Sequence, residues 1–280
     1  MDFRKFCSLI MIEQTVFALP FAYLGVLFAN GRGLFTWLLV TIAFAAARTA
    51  GMSFNRVIDA DVDAKNPRTK DRLVPRGGVK KSQVWTIGAI SSLLLVVSSF
   101  FLNRLCFFLS FPAIVLLFTY SYFKRFSSSS HFYLGLVEAV APIGGYLAVT
   151  GKFSIVPLLL GGAILLWIAG LDIVYAIQDV DFDRKEGLYS FPSAFGEKTA
   201  LAVSKVCYVL SICAMIAAGM VTGKSAPYWV ALICIASIFV YQQSIVKQSD
   251  VSASLQRFFK ANLYVSPLLL IGALIDILLI

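Results

Sequence analysis

The chain alternates long apolar stretches with short polar ones. Apolar runs near 20 residues recur at roughly 8–29, 34–54, 84–102, 105–123, 132–150, 154–177, 200–221, 227–246 and 259–280. A helix of that length spans the hydrocarbon core of a bilayer, and a helix satisfies its own backbone there. The pattern predicts an all-α, polytopic integral membrane protein, with about nine transmembrane helices bundled around a central cavity. The first apolar run is too long for a cleavable signal peptide and lacks a small-residue cleavage site. No linker divides the chain, so residues 1–280 are expected to form a single domain. Pro20 should kink the first span, and Glu13 within it would sit in a cavity or reach the interface.

Composition agrees with this reading. Hydrophobic residues make up 59% and charged residues 14%, and the mean hydropathy of +0.83 lies outside the soluble range. The remaining charge is uneven. With nine spans, the N-terminus and every second loop share one side. That side holds Arg4, Lys5, the eight basic residues from Arg56 to Lys81, Lys124, Arg125, Arg184, Lys185, Lys198, Lys247, Arg257 and Lys260. The other side holds only Arg32, Arg104, Lys152 and Lys224. Basic loops stay in the cytoplasm. The expectation is a multi-pass protein of the inner (cytoplasmic) membrane, with the N-terminus and the acid-bearing loops cytoplasmic and Ile280 outside. The net charge of +9 then belongs to one membrane face, so the bilayer is the partner and nucleic acid is not needed. Cys7, Cys106, Cys207, Cys213 and Cys234 have no redox or metal spacing and read as small core hydrophobes. His131, the one histidine, reads as a surface or interfacial residue.

Two polar stretches carry the chemistry. From Asp59 the chain reads DADVDAK, and from Asp179 it reads DVDFDRK. The spacing Asp-x-Asp-x-Asp-x-Lys recurs, each time at the end of an apolar span. This repeat suggests two related halves, roughly 1–125 and 126–280. In a helix Asp59 and Asp63 share a face and repel, so a cation is expected between them. Magnesium carrying a substrate phosphate suits one or two carboxylates. Arg48 lies on the same stripe as Asn55, Asp59 and Asp63, two to three turns deeper. That depth suits an acceptor carboxylate, and the alternative is a structural partner for one of the aspartates. Asp172, Tyr175, Asp179 and Asp183 form a second one-sided set. Pro67, Pro75, Gly77 and Gly78 mark one loop over this face, and Gly187 to Gly196 another. Glu138, with Pro142, Gly144 and Gly145, suggests a broken or closely packed fifth span.

These motifs resemble the UbiA superfamily of intramembrane prenyltransferases over essentially the full chain. The family pattern Asn-Asp-x-x-Asp-x-x-x-Asp is met by Asn55, Asp59 and Asp63, and Arg-Thr-x-x-Arg by Arg68, Thr69 and Arg72. Asp-x-x-Tyr-x-x-x-Asp-x-x-x-Asp is met by Asp172, Tyr175, Asp179 and Asp183. Tyr-x-x-x-Lys-Arg is met by Tyr120, Lys124 and Arg125. The resemblance implies Mg2+ held by Asn55, Asp59, Asp63, Asp179 and Asp183, with the four aspartates catalytic. It implies a polyprenyl diphosphate gripped by Arg68, Arg72, Lys124 and Lys185. An aromatic acid would meet Arg48, Asp172 and Tyr175. Arg56 stands where the wider family has Asp, which bears on the number of metal ions, and Leu73-Val74-Pro75 replaces Pro-Leu-Pro. The Asn-Arg form and the opening EQTVFALPFA resemble the branch that prenylates 4-hydroxybenzoate for quinone biosynthesis. A dihydroxynaphthoate on a menaquinone route is the alternative. An ion-coupled transporter fits less well, because the acids sit at the cytoplasmic edge rather than at the midplane. A CDP-alcohol phosphotransferase would gather its acids in one motif.

Overall fold

The computed structural model describes residues 2–246 and 251–279, with side chains of 251–253 excepted. Lys247 and Ile280, on which part of the topology expectation rests, lie outside them. The described residues are helical, with no strand. In chain order the helices are α1 (Phe3–Ile10), α2 (Ile12–Phe28), α3 (Leu34–Ile58), α4 (Ala60–Lys65), α5 (Lys81–Leu102), α6 (Arg104–Phe123) and α7 (Ser130–Thr150). They continue with α8 (Ile155–Tyr175), α9 (Val180–Glu186), α10 (Phe191–Phe195), α11 (Glu197–Val221), α12 (Ala226–Ile245), α13 (Val251–Asn262) and α14 (Val265–Leu278). Eight described segments are long and apolar enough to cross a membrane, and α1 with α2 makes nine if that bent pair is one span. Leu93, Phe100, Phe108, Val209 and Val240 project outward. Lipid tails are as apolar as these side chains, so such a surface is at rest in a bilayer. The protein is a multi-pass membrane protein.

The first span bends, but not at Pro20. Asp2 caps α1 through Lys5 N at 2.7 Å, and the turn comes at Met11, whose φ of 50° is left-handed. α1 and α2 meet there at 57°, whereas α2 runs through Pro20 unbroken. Glu13 is exposed at the start of α2.

The fifth span is closely packed rather than broken. A Cβ on Gly25 of α2 would lie 2.1 Å from the carbonyl oxygen of Pro142, and one on Gly145 of α7 would lie 2.0 Å from that of Ala22. Both distances are below contact, so only glycine lets these two backbones cross as they do. The main core surrounds Trp167 of α8, which is fully buried and meets Phe21 edge-on at 5.4 Å. Its indole N–H is satisfied by Asn262 Oδ1 at 3.2 Å. Ser204 and Ser211 of α11 each donate to a carbonyl of α8, at Gly170 and Ala163, both at 2.8 Å. The cysteines divide: Cys106 and Cys207 are buried, but Cys213 and Cys234 are exposed, which corrects their reading as core residues. A thiol is apolar enough to face lipid.

Candidate active site

Both acid motifs fold into the same device. α3 ends at Ile58, and Asp59 (φ −91°, ψ 2°) forms the corner before the short helix α4. α8 ends at Tyr175, a 3₁₀ turn covers Ala176–Asp179, and Asp179 (φ −104°, ψ 4°) forms the corner before α9. The third acid of each motif, Asp63 or Asp183, is buried, while the middle one, Asp61 or Asp181, is exposed. Helical geometry requires this, since positions four apart share a face and positions two apart do not. The continuous stripe expected from Asn55 to Asp63 is interrupted at Asp59, where α3 gives way to α4. The backbone bonds Asp59 N to Asn55 O at 2.9 Å and Asp63 N to Asp59 O at 2.7 Å nevertheless carry the register across the corner. On the outer face, a hydrogen bond and charge from Lys81, 2.8 Å away, hold the Asp61 carboxyl below its usual range.

Each inner aspartate is met by a cation. Arg68 grips Asp179 through two nitrogens, Nε to Oδ1 at 3.2 Å and Nη2 to Oδ2 at 2.7 Å, and its Nη1 donates to Tyr175 Oη at 2.6 Å. Arg72 Nη1 reaches both Asp63 oxygens at 2.9 and 2.8 Å. Arg125 lies 3.5 Å from Asp59 and donates to the carbonyl of Ile58 at 2.7 Å. Lys124 Nζ lies 2.9 Å from Asp183 Oδ1, yet neither oxygen of that fully buried carboxylate has a well-aligned donor. Burial, then the charge of Asp63, push the Asp59 carboxyl up to about 6, against the pull of Arg125. Asn55 donates to Asp59 at 2.6 Å and to Ser121 at 3.2 Å. Among the described residues no three acids converge tightly enough to hold a metal ion by themselves.

Deeper in the bundle, Arg48 of α3 pairs with Glu138 of α7, not with a motif aspartate. Tyr120 of α6 lies within electrostatic range of Asp172, Asp59, Glu138 and Arg48, so these groups share one interior region. Asp172 meets His131 at 2.7 Å. His131 is 3% exposed, which corrects its reading as a surface residue. Tyr175 sits with Arg68, at the acids. Lys185 is exposed and makes no ion pair among the described residues, so the structure does not bring it to the others. Arg56 is buried with its Nε 3.4 Å from the Leu9 carbonyl on α1, and it remains within electrostatic range of Asp63 and Asp59.

Some members of the site were missed in the sequence. Asn66 donates to Asp179 at 3.3 Å while its Oδ1 accepts from Arg68 N at 2.9 Å, and Thr69, named in the motif but given no partner there, donates from Oγ1 to Asp63 O at 3.0 Å. The Asn66-Pro67 pair carried a turn signal that would have found the first.

The UbiA prenyltransferase family model matches residues 18–264. The chain belongs to the UbiA prenyltransferase family. The 4-hydroxybenzoate octaprenyltransferase of Aeromonas salmonicida (strain A449) is 29% identical over 272 residues, covering 97% of this chain and 92% of that one. The apo structure of a UbiA homolog from Aeropyrum pernix K1 superposes with a TM-score of 0.87 at 33% identity, covering 95% of this chain and 98% of that one. A UbiA homolog from Archaeoglobus fulgidus, bound to DMAPP and Mg2+, shares the fold with a TM-score of 0.76 at 18% identity, covering 99% of this chain and 100% of that one.

Proposed function

We propose that this UbiA-family prenyltransferase transfers a polyprenyl group from its diphosphate to 4-hydroxybenzoate, in ubiquinone biosynthesis, at the inner membrane. The full-length likeness to a 4-hydroxybenzoate octaprenyltransferase suggests the acceptor. The observation that carries the chemistry is the facing pair of acid corners at Asp59 and Asp179, each interleaved with arginine or lysine.

Mg2+ fits these residues. Its ligands are hard oxygens, and Asp183 offers a fully buried carboxylate without an aligned donor. Because no three acids converge, each ion would take one or two carboxylates from Asp59, Asp63, Asp179 and Asp183, with Asn55 beside them, and phosphate and water for the rest. A bound magnesium ion offsets the charge that grows on departing diphosphate. Arg68, Arg72 and Lys124, now on the aspartates, would turn to the diphosphate oxygens, joined by Arg125. The allylic carbon–oxygen bond breaks, and the ring carbon beside the acceptor hydroxyl forms the new carbon–carbon bond. That carbon then loses its proton. Tyr175 and Phe259, whose rings meet edge to face at 5.1 Å, would offer ring faces that favour positive charge. Arg48 would receive the acceptor carboxylate, with Asp172 beside it. The second motif reuses the geometry of the first, which favours a single domain of two related halves.

The test is purified protein in lipid, given polyprenyl diphosphates and either 4-hydroxybenzoate or a dihydroxynaphthoate, with and without Mg2+. Magnesium-dependent release of diphosphate with 4-hydroxybenzoate is expected. Transfer only to dihydroxynaphthoate would reassign the acceptor, and no release with any donor would overturn the reading.

A further inference from the structure

His131 is the chain's only histidine, and it is buried at the second residue of α7. Its Nδ1 lies 2.7 Å from Asp172 Oδ2 on α8, and its Nε2 accepts the backbone N–H of Phe191 at 3.0 Å. A backbone amide can only donate, so Nε2 bears no proton. The neutral ring then carries its proton on Nδ1 and donates it to Asp172. One hydrogen-bonded chain thus runs from the first residue of α10 through the imidazole to an acid in the interior.

The far end of that chain belongs to the loop after the second acid motif. Gly187 ends α9 in the left-handed region, and Tyr189 N–H is then held by the Lys124 carbonyl at 2.8 Å. Arg184 Nε reaches the Ser193 carbonyl at 3.3 Å. The loop is therefore fastened beside the cation of Asp183 at one point and beside Asp172 at another. The Asp172 side chain keeps 24% of its exposure, and its Oδ1 has no partner among the described residues. It has an oxygen to offer a ligand, in electrostatic range of Tyr120.

We infer that His131 is a positioning residue for the acceptor, fixing Asp172 in one orientation while the loop from Gly187 to Gly196 is seated. The inference rests on the assignment of Asp172 to the acceptor made above. His131 touches neither substrate. Its duty is to donate on one side and accept on the other, which glutamine can also do and phenylalanine cannot.

Saturation curves for donor and acceptor test this on His131→Phe, His131→Gln and Asp172→Asn. His131→Phe should raise the acceptor KM about tenfold or more and move the donor KM by less than about twofold, and His131→Gln should restore the acceptor KM. A second readout needs no turnover. Protein labelled with 15N-histidine and carrying no histidine tag gives one ring signal, expected as the Nδ1–H tautomer. Phe191→Pro deletes the N–H donor at a helix position where proline is tolerated, and should abolish that tautomer preference. A proton found on Nε2 would overturn the inference. So would equal rises in both KM values for His131→Phe, or a glutamine variant no better than phenylalanine. If Asp172→Asn weakens the acceptor while His131→Phe does not, the inference falls alone. If Asp172→Asn weakens only the donor, the acceptor assignment falls and takes the inference with it.

Discussion

At the scale of single residues, the site is a set of cations and carboxylates already engaged with one another. Asp63→Ala and Asp183→Ala should abolish turnover, because both carboxylates point inward. Asp61→Ala and Asp181→Ala should leave turnover nearly intact, because their side chains face water. Diphosphate release by the four variants checks this, and loss of activity in Asp61→Ala would undo the division into inner and outer acids. Arg48→Ala should chiefly raise the acceptor KM, by roughly ten- to a hundredfold, as removal of a charge-assisted bond of about 1.5–3 kcal/mol implies. Weaker donor binding in that variant would move Arg48 to the diphosphate. Much of this was legible in the sequence, because the inner–outer alternation follows from helical spacing alone. The partner of Arg48 was not, since Glu138 stands 90 positions away and nothing local links them. The burial of His131 was equally hidden: one polar residue at a span's start looks the same whether it faces water or a neighbouring helix.

At the scale of helices, the apolar pattern located the spans but not their bends. Proline predicted a kink at Pro20, yet α2 tolerates it, as neighbouring helices allow in a membrane. The bend sits instead at Met11, where no glycine or proline announces it. The crossing of α2 and α7 was half visible, through Gly144 and Gly145, but its partner Gly25 was not singled out. Only Gly145 of that pair is in the contact, whereas a Cβ on Gly144 would meet open space. Gly145→Val should therefore yield little folded protein, and Gly144→Ala should be accepted. Recovery and melting temperature in detergent decide it, and equal tolerance of both would contradict the crossing.

Across the whole molecule, charge asymmetry is the feature that sequence alone made plain. It predicts that a cysteine placed at Ser128, in the α6–α7 turn, reacts with a membrane-impermeant thiol reagent only from the cytoplasmic side. A cysteine at Lys152 should react only from the opposite side. Cells and inverted vesicles give the two arms of that experiment, and the reverse labelling would invert the topology.

What no linear reading supplied is the way the two ends of the chain's catalytic chemistry are tied together. Arg68 holds Asp179, Lys124 lies on Asp183 and Lys65 reaches Glu186, so the first hundred and twenty-five residues lend their cations to acids of the remainder. The consequence is evolutionary. A mutation that discharges Arg68 or Lys124 leaves the buried carboxylate of Asp179 or Asp183 without its nearest cation. Neither copy of the acid motif is therefore free to drift while its twin stands guard. Duplicated parts commonly diverge because one can fail safely, but here each half keeps the other's errors visible, and change at this end of the bundle must come in matched pairs.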